Sequence, residues 1–477
     1  GIHSFHRKNN TSKHFYLEFI LASYNEFMSK KRVHILGICG TFMGGLALLG
    51  KEKGMDISGC DNNVYPPMSD HLNDMGIEII ESYDPSHLPK ADEYVIGNSI
   101  IRGNPALEHL LSSKANIISG PEWLYSNILK NKKVIAVSGT HGKTTTTAMI
   151  AWIFEDQGIE TGYLIAGKPK DFEKSARKGK QDIFVLEADE YDTAFFDKRS
   201  KFIHYKPDTL IINNLEFDHA DIFPDLSYIY REFHNLIRTL KEEAEIIFPR
   251  DDLNISNVLN LGCWSKLIDY SFNEQNINSV NFSYSSNKTH LKIENEEGEL
   301  DWSMLGEHNA RNAMVALLAV NRYGIKLSDA INSLKRFKGV DKRQDLLMDE
   351  ERLLLIEDFA HHPTAIETTL RGIKKAYSNR KIYAAIELRS NTMKSGFHDD
   401  RLINVCSFVD KVFWKSEDKD QTKRLVEALP DKSSQIINID NFIDEFKQIN
   451  RMGDVLVVMS NGNFDNLSQL LMNEFKK

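Results

Sequence analysis

Lys143 and Thr144 follow Gly139-Thr140-His141-Gly142 at the end of the apolar run Val134-Ile135-Ala136-Val137. Glycines there let backbone N–H groups close around a triphosphate, and the helix that starts at the lysine adds the partial positive charge of its N-terminus. In such a loop Lys143 reaches the β- and γ-phosphates of ATP and the Thr144 hydroxyl serves a Mg²⁺ ion. Gly139, Thr140, His141, Gly142 and Thr145 complete the expected ATP-binding stretch. The common G-x-x-x-x-G-K-[ST] pattern asks for glycine at position 137, where this chain has Val137. The loop is therefore the shorter Gly139-x-x-Gly142-Lys143-Thr144, which departs from kinases and GTPases. A glycine–lysine turn that holds no nucleotide is the plain alternative.

A strand before the loop and a helix from Lys143 to about Gln157 must carry these residues. Two further apolar strands end in polar clusters. Asp182 to Leu186 runs into Glu187-Ala188-Asp189-Glu190-Tyr191-Asp192, and Thr209 to Ile212 runs into Asn213-Asn214-Leu215-Glu216-Phe217-Asp218-His219. Carboxylates and a histidine at strand C-terminal ends stand where α/β sheets bind ligands. Mg²⁺ takes one or two carboxylates with phosphate oxygens and water, a role that suits Glu187, and His219 could hold a second ion. A solvated strand end and a structural histidine are the bland readings. Asn309 and Asn312 lie three apart on one face of a predicted helix. Their amides both donate and accept, as an adenine edge requires, although capping would account for one of them. Residues 270–300, rich in Asn, Ser, Lys and Glu, read as hairpins or an insertion at the surface.

The block before the loop opens with Val33-His34-Ile35-Leu36 and Gly37-Ile38-Cys39-Gly40-Thr41-Phe42-Met43-Gly44-Gly45, then a helix to about Lys53 and a strand at Met55 to Gly59 that ends at Asp61. This is a strand–glycine turn–helix–strand unit with an acid about 20 residues beyond the glycines, as dinucleotide folds have, yet the glycine spacing misses the G-x-G-x-x-G fingerprint. A diphosphate at the helix N-terminus and tight helix–strand packing without a ligand are the two readings. Tyr94-Val95-Ile96 forms a further strand that ends at Asn98-Ser99. After Arg343, strands at Leu353 to Glu357, Ile382 to Ile386 and Val455 to Met459 lead into Asp358-Phe359-Ala360-His361-His362-Pro363-Thr364, Glu387-Leu388-Arg389-Ser390-Asn391-Thr392 and Ser460-Asn461-Gly462. Such strands, alternating with helices, predict another parallel α/β domain whose polar strand ends face the loop-bearing block.

The chain has 477 residues, which predicts about three domains. A net charge of −9 and a pI near 6.0 argue against a nucleic-acid partner, which would need a basic face. No apolar run approaches the roughly 20 residues needed to span a bilayer, so no membrane insertion is expected. Cys39, Cys60, Cys263 and Cys406 form no C-x-x-C pair and read as free thiols of a reducing cytoplasm. Residues 1–28 are expected to be an extension or disordered leader, with Met28 as the natural start; an amphipathic helix packed on the first domain is the other reading. Glu18 interrupts the apolar segment and argues against a secretory signal.

From about Arg32 onward this ordered set of motifs resembles the Mur ligases, which join amino acids or peptides to cell-wall precursors using ATP. Gly37 to Gly45, Asn63-Val64-Tyr65-Pro66-Pro67-Met68, Ser119-Gly120-Pro121-Glu122-Trp123-Leu124, Glu190 to Arg199 and Arg389-Ser390-Asn391-Thr392 carry the resemblance. They are most similar to the branch that serves peptidoglycan recycling. The resemblance implies three α/β domains: a Rossmann-like domain over 29–130 for UDP-N-acetylmuramate, a P-loop ATPase domain over 131–345 and a Rossmann-like peptide-binding domain over 346–477. It implies a cytoplasmic bacterial ligase with two Mg²⁺ ions, UDP-N-acetylmuramate and the tripeptide L-Ala-γ-D-Glu-meso-diaminopimelate as substrates, and no obligate protein partner.

Residue by residue, the family pattern puts Lys143 on the phosphates, Thr144 and Glu187 on Mg²⁺, His219 at a second Mg²⁺, and Asn309 and Asn312 beside adenine. Arg343 matches its phosphate-facing arginine, Asp358 the acid that meets the ribose, and His361 the active-site histidine of alanine-adding relatives. Gly37, Gly40, Thr41, Gly44, Asp61, Asn98 and Ser99 would hold the UDP-sugar, and Arg389, Ser390, Asn391 and Thr392 the peptide. The chain departs from the family's E-P-R-S-N-T, with Leu388 in place of the proline, and its Asn463-Phe464-Asp465-Asn466 is poorer in glycine. The same chemistry with L-alanine as acceptor is the near alternative; a P-loop kinase or a nucleotide-sugar-binding regulator is the distant one.

Overall fold

A computed structural model describes residues 30–64, 68–216, 225–272, 280–285, 288–396 and 398–476. They fall into two units divided between Gly120 and Pro121. The leader at 1–28, Tyr65 to Pro67 of the proline motif, and Phe217, Asp218 and His219 lie outside the described residues.

The first unit is a parallel sheet in the order β3-β2-β1-β4-β5, formed by β1 (Arg32–Leu36), β2 (Asp56–Cys60), β3 (Glu78–Ile80), β4 (Glu93–Ile96) and β5 (Ile117–Ser119). The central β1 is buried after its first residue, as a strand covered on both faces must be. Helix α1 (Thr41–Glu52) buries Met43 to Gly50. His34 is fully buried in β1, its Nδ1 2.8 Å from the Ser58 hydroxyl, and burial pushes its pKa down to about 4. The unfolded chain takes up that proton near pH 6.5 and the native chain only near 4, so stability falls as pH drops through this window. Urea titrations are expected to show a loss of roughly 2 kcal/mol between pH 7 and pH 5 from this ring, and His34→Gln should flatten that part of the pH dependence.

The second unit holds two large sheets. The first runs β17-β16-β15-β14-β13-β12-β6-β9-β7-β8. Its strands β6 (Lys133–Ser138), β7 (Gly162–Leu164), β9 (Ile183–Glu187), β12 (Thr209–Ile212), β13 (Glu245–Pro249) and β14 (Lys266–Phe272) are parallel, and β8 (Ala176–Arg177) is an antiparallel edge. Helices α2 (Lys143–Asp156) and α3 (Glu307–Asn321) share one apolar core with this sheet. The second sheet runs β18-β19-β23-β20-β21-β22, with β18 (Asp345–Glu350), β19 (Leu353–Asp358), β20 (Ile382–Glu387), β21 (Lys411–Lys415), β22 (Ser433–Gln435) and β23 (Asp454–Met459). It has an apolar core on each face. All its pairs are parallel except β18–β19, so the expected parallel sheet carries an antiparallel edge. Among the described residues no helix is long and apolar enough to cross a membrane, and the four cysteines are free thiols.

The expectation of a surface insertion at 270–300 needs correction. β15 (Asn281–Ser285), β16 (Lys288–Ile293) and β17 (Glu296–Asp301) do form antiparallel hairpins, but they extend the large sheet. Phe282, Leu291, Ile293 and Leu300 are buried in its core. The polar composition hid a period-two pattern in which Thr289, Leu291 and Ile293 point inward and His290 outward.

Candidate active site

The loop between β6 and α2 has the form that polyphosphate binding needs. Gly139 and Gly142 adopt φ of +121° and +80°, the left-handed side that favours glycine. A Cβ at Gly139 would stand 2.9 Å from the Asn214 carbonyl, and one at Gly142 would stand 2.5 Å from Asn312 Oδ1. The loop therefore owes its path to the strand end after β12. Asn214 O accepts from Thr140 N at 3.1 Å, Asn214 Oδ1 accepts from His141 N at 2.8 Å, and Asn213 Nδ2 donates to Thr146 Oγ1 at 3.1 Å. No side chain caps α2 at Gly142, and a helix N-terminus of this kind favours an anion.

Lys143 Nζ donates to Gly139 O at 2.8 Å and stands 3.7 Å from Asp189 Oδ1 and 3.6 Å from Glu190 Oε2. Thr144 Oγ1 donates to Glu187 Oε2 at 2.9 Å, and Ala166 N donates to Glu187 Oε1 at 2.6 Å. Burial, helped by the nearby Asp189, pushes the Glu187 carboxyl up to about 7, against the pull of its hydrogen bonds and Lys143. A buried carboxylate beside a hydroxyl is an oxygen donor set that suits a hard divalent cation, so Thr144 and Glu187 fit Mg²⁺. His219, the expected holder of a second ion, lies outside the described residues.

Arg343 and Asp358 come to this unit from beyond α3. The Arg343 guanidinium stacks 4.4 Å from the Phe359 ring; burial lowers its pKa, opposed by Asp358 and Glu187. Asp358 accepts from Gln344 N and Ala360 N, each at 2.8 Å, while burial raises its pKa. Asn309 Nδ2 donates to Leu305 O at 2.8 Å and Gln344 Oε1 at 3.0 Å, so it braces the chain beside Arg343, while Asn312 faces Gly142. His361 Nδ1 stands 2.9 Å from the Phe359 carbonyl. A carbonyl only accepts, so Nδ1 carries a proton in this contact.

Arg389 is exposed, with its guanidinium packed on Gly462, where a Cβ would collide with it. Ser390 Oγ accepts from Met393 N at 3.3 Å. Asn391 and Thr392 open the helical turn Asn391–Lys394, and their side chains lie outside the described residues.

In the first unit the glycine turn is organised by Asp61. Its Oδ2 accepts from Cys39 N at 3.0 Å and its Oδ1 from Asn63 N at 3.1 Å and the Tyr83 hydroxyl at 3.4 Å. Gly37 has φ of +79°, Gly40 precedes α1, which Thr41 opens, and Gly44 leaves no room for a Cβ against Met68. Asn98 and Ser99 are exposed beyond β4, with Ser99 beside Gly37. Asp61→Ala leaves those three donors without their acceptor at a cost of about 1–3 kcal/mol. Calorimetry is expected to show weaker binding of a nucleotide sugar and a lower unfolding temperature.

Sequence reasoning placed Glu216 and His362-Pro363-Thr364 at polar strand ends facing one another but did not pair their side chains. Glu216 Oε2 accepts from Thr364 Oγ1 at 2.6 Å and stands 3.7 Å from Arg401 Nη1 and 3.8 Å from His362 Nδ1. The His362 ring lies 4.7 Å from that of His141 and 4.8 Å from that of His398. Glu216 and Thr364 are 148 residues apart, and no local pattern pairs them.

Family models for the Mur ligase catalytic domain, middle domain and glutamate ligase domain match residues 32–132, 137–320 and 342–462. The UDP-N-acetylmuramate–L-alanyl-γ-D-glutamyl-meso-2,6-diaminoheptandioate ligase of Escherichia coli is 42% identical over 94% of this chain and 98% of its own length. The UDP-N-acetylmuramate–L-alanine ligase of Clostridium acetobutylicum is 27% identical over 93% of this chain and 98% of its own. The crystal structure of a murein peptide ligase from Psychrobacter arcticus covers 93% of this chain and 98% of its own, with 38% identity and a TM-score of 0.72. Three domains in this order, over most of the chain, place it in the Mur ligase family.

Proposed function

We propose that this ATP-dependent ligase joins L-Ala-γ-D-Glu-meso-diaminopimelate to the lactyl carboxylate of UDP-N-acetylmuramate, as a cytoplasmic enzyme of peptidoglycan recycling. The observation that carries this reading is the 42% identity over nearly both whole lengths to a relative whose name gives both substrates. The likeness to the L-alanine ligase is weaker, at 27%. We place the domains at 29–130, 131–345 and 346–477.

A lactyl carboxylate oxygen attacks the γ-phosphorus of ATP, the bond to the β–γ bridging oxygen breaks, and ADP leaves an acyl phosphate. Phosphorylation is needed because an untreated carboxylate would have to expel oxide. The free amine of the tripeptide then adds to the acyl carbon, loses a proton, and phosphate departs with the carbon–oxygen bond. Side chains do little covalent work here; they position groups and neutralise charge. Lys143 and Arg343 offset charge on the phosphates, and the amides of the loop at Gly139 to Thr145 cradle them. Thr144 and Glu187 would hold Mg²⁺, which would neutralise charge on the phosphates, and His219 would serve a second ion. Asn309, Asn312 and Asp358 are assigned to the nucleoside end of ATP. His361 is assigned to the acyl-transfer step, beside the amine. The glycine turn with Asp61, Asn98 and Ser99 is assigned to UDP-N-acetylmuramate, and Arg389 to Thr392 to the peptide, whose carboxylates suit a guanidinium fork.

Phosphate release from Mg-ATP and UDP-N-acetylmuramate, measured with either the tripeptide or L-alanine and with product masses, tests the reading. Turnover with the tripeptide alone supports it. Turnover with L-alanine reassigns the acceptor, and phosphate release with neither rules out both.

A further inference from the structure

We infer that Glu216 is a positioning residue that ties the phosphate loop to the helix after β19, α4 (Pro363–Ala376), so that the sheet carrying the acceptor domain is held against the nucleotide during acyl transfer. The inference rests on the proposed ligase activity. Glu216 is anchored to the loop by its backbone: its N–H donates to Thr140 Oγ1 at 2.8 Å, and Thr140 Oγ1 donates to its carbonyl at 3.2 Å. Its side chain faces the other way. There the carboxylate takes the Thr364 hydroxyl at 2.6 Å, and Arg401 donates to that same hydroxyl oxygen and stands 3.7 Å from Oε2.

Thr364 is in the first turn of α4, a 14-residue helix capped by His362, so the carboxylate sits where a helix N-terminus favours negative charge. Arg401 comes from a second helix of the same domain, α5 (Asp399–Cys406). The His141–His362 ring contact, at 4.7 Å, runs beside this tie between the same loop and the same helix. One side chain thus joins residues on either side of the junction between the two sheets, directly next to the loop that grips phosphate.

The ligand atoms of His141, Glu216 and His362 lie within 4.8 Å of one another, which invites a metal reading. Zinc bound at about 2.0–2.1 Å would need them closer than the 3.8 Å between His362 Nδ1 and Glu216 Oε2. That oxygen is already shared by a hydroxyl and a guanidinium, so the tie is the better account.

Loosening it should leave the acyl phosphate open to water. Glu216→Ala keeps the backbone clasp to Thr140. It is expected to raise the peptide KM about ten-fold and the ratio of phosphate released to amide formed at least about three-fold, with ATP affinity and melting temperature little changed. Thr364→Val should act in the same direction, less than additively with Glu216→Ala. Independently of turnover, amide exchange with nucleotide bound should quicken about ten-fold across the first turn of α4 and stay unchanged in α2. An unchanged exchange pattern in Glu216→Ala overturns the tie whatever the enzyme makes. So does additivity with Thr364→Val, or Zn²⁺ stabilisation of the wild type that Glu216→Ala abolishes. Absence of amide product in the wild type, with the exchange result intact, would instead reject the proposed reaction.

Discussion

Lys143→Met is expected to lower kcat/KM for ATP-dependent ligation by about 10²–10³-fold, corresponding to roughly 2.7–4 kcal/mol of transition-state stabilisation. Lys143 is the first residue of α2, its side chain is only 13% exposed, and Nζ already lies in a ring of oxygens from Gly139, Asp189 and Glu190. The ammonium is thus held close to the loop among oxygens of the protein. Transfer of the γ-phosphoryl group to a carboxylate brings negative charge to the leaving β–γ oxygen, and a point charge on a flexible stem can follow it. Methionine keeps the aliphatic volume and removes only the charge. Steady-state phosphate release checks the rate, and calorimetric titration with UDP-N-acetylmuramate should be unchanged, because Asp61 and the glycine turn belong to the other unit. Retention of a third or more of the wild-type rate would remove Lys143 from the catalytic set.

Gly142→Ala should come close behind, for a reason of geometry. At φ of +80° an alanine costs about 1–2 kcal/mol in backbone strain. Its methyl would also stand 2.5 Å from Asn312 Oδ1 and 3.0 Å from Asn213 Nδ2, the second a side chain that ties the strand end to α2 through Thr146. Such crowding costs typically 1–3 kcal/mol more. The loop relieves it by moving, which turns its amides away from the phosphates. An ATP affinity weaker by about 10²-fold is expected from the loss of converging donors, with a melting temperature several degrees lower. Gly158 has a similar φ of +74°, yet a Cβ there meets nothing within 4 Å, so Gly158→Ala separates strain from crowding. Equal effects of the two substitutions on ATP affinity would show that the close approach of Asn312 is unimportant.

Much of this enzyme is written in local pattern. The apolar run ending in Gly139-x-x-Gly142-Lys143-Thr144 dictates a strand, a turn and a helix, since glycine takes those dihedrals without steric cost and the turn leads into a helix N-terminus. β12 spans Thr209–Ile212, as the apolar run predicts, and the strand after Asp182 delivers Glu187 to the loop. The alternation in β16 was equally present but masked by polar outward residues. Asp61 shows the other limit. Its spacing suggested an acid beyond a nucleotide-type glycine turn, but not that it would accept from the Cys39 amide and so shape that turn. Family resemblance, rather than composition or spacing, supplied the substrates.

Tertiary structure alone decided how distant segments meet. Nothing near Glu216 in sequence indicates Thr364 or Arg401, and nothing near Arg343 indicates the Phe359 ring it covers. The reason is physical: a loop or a strand end is set by backbone dihedrals and neighbours a few residues away, so it can be read along the chain. Pairing across the second unit depends on which sheet faces pack together and on the burial that makes a carboxylate such as Glu187 hold its proton up to about pH 7.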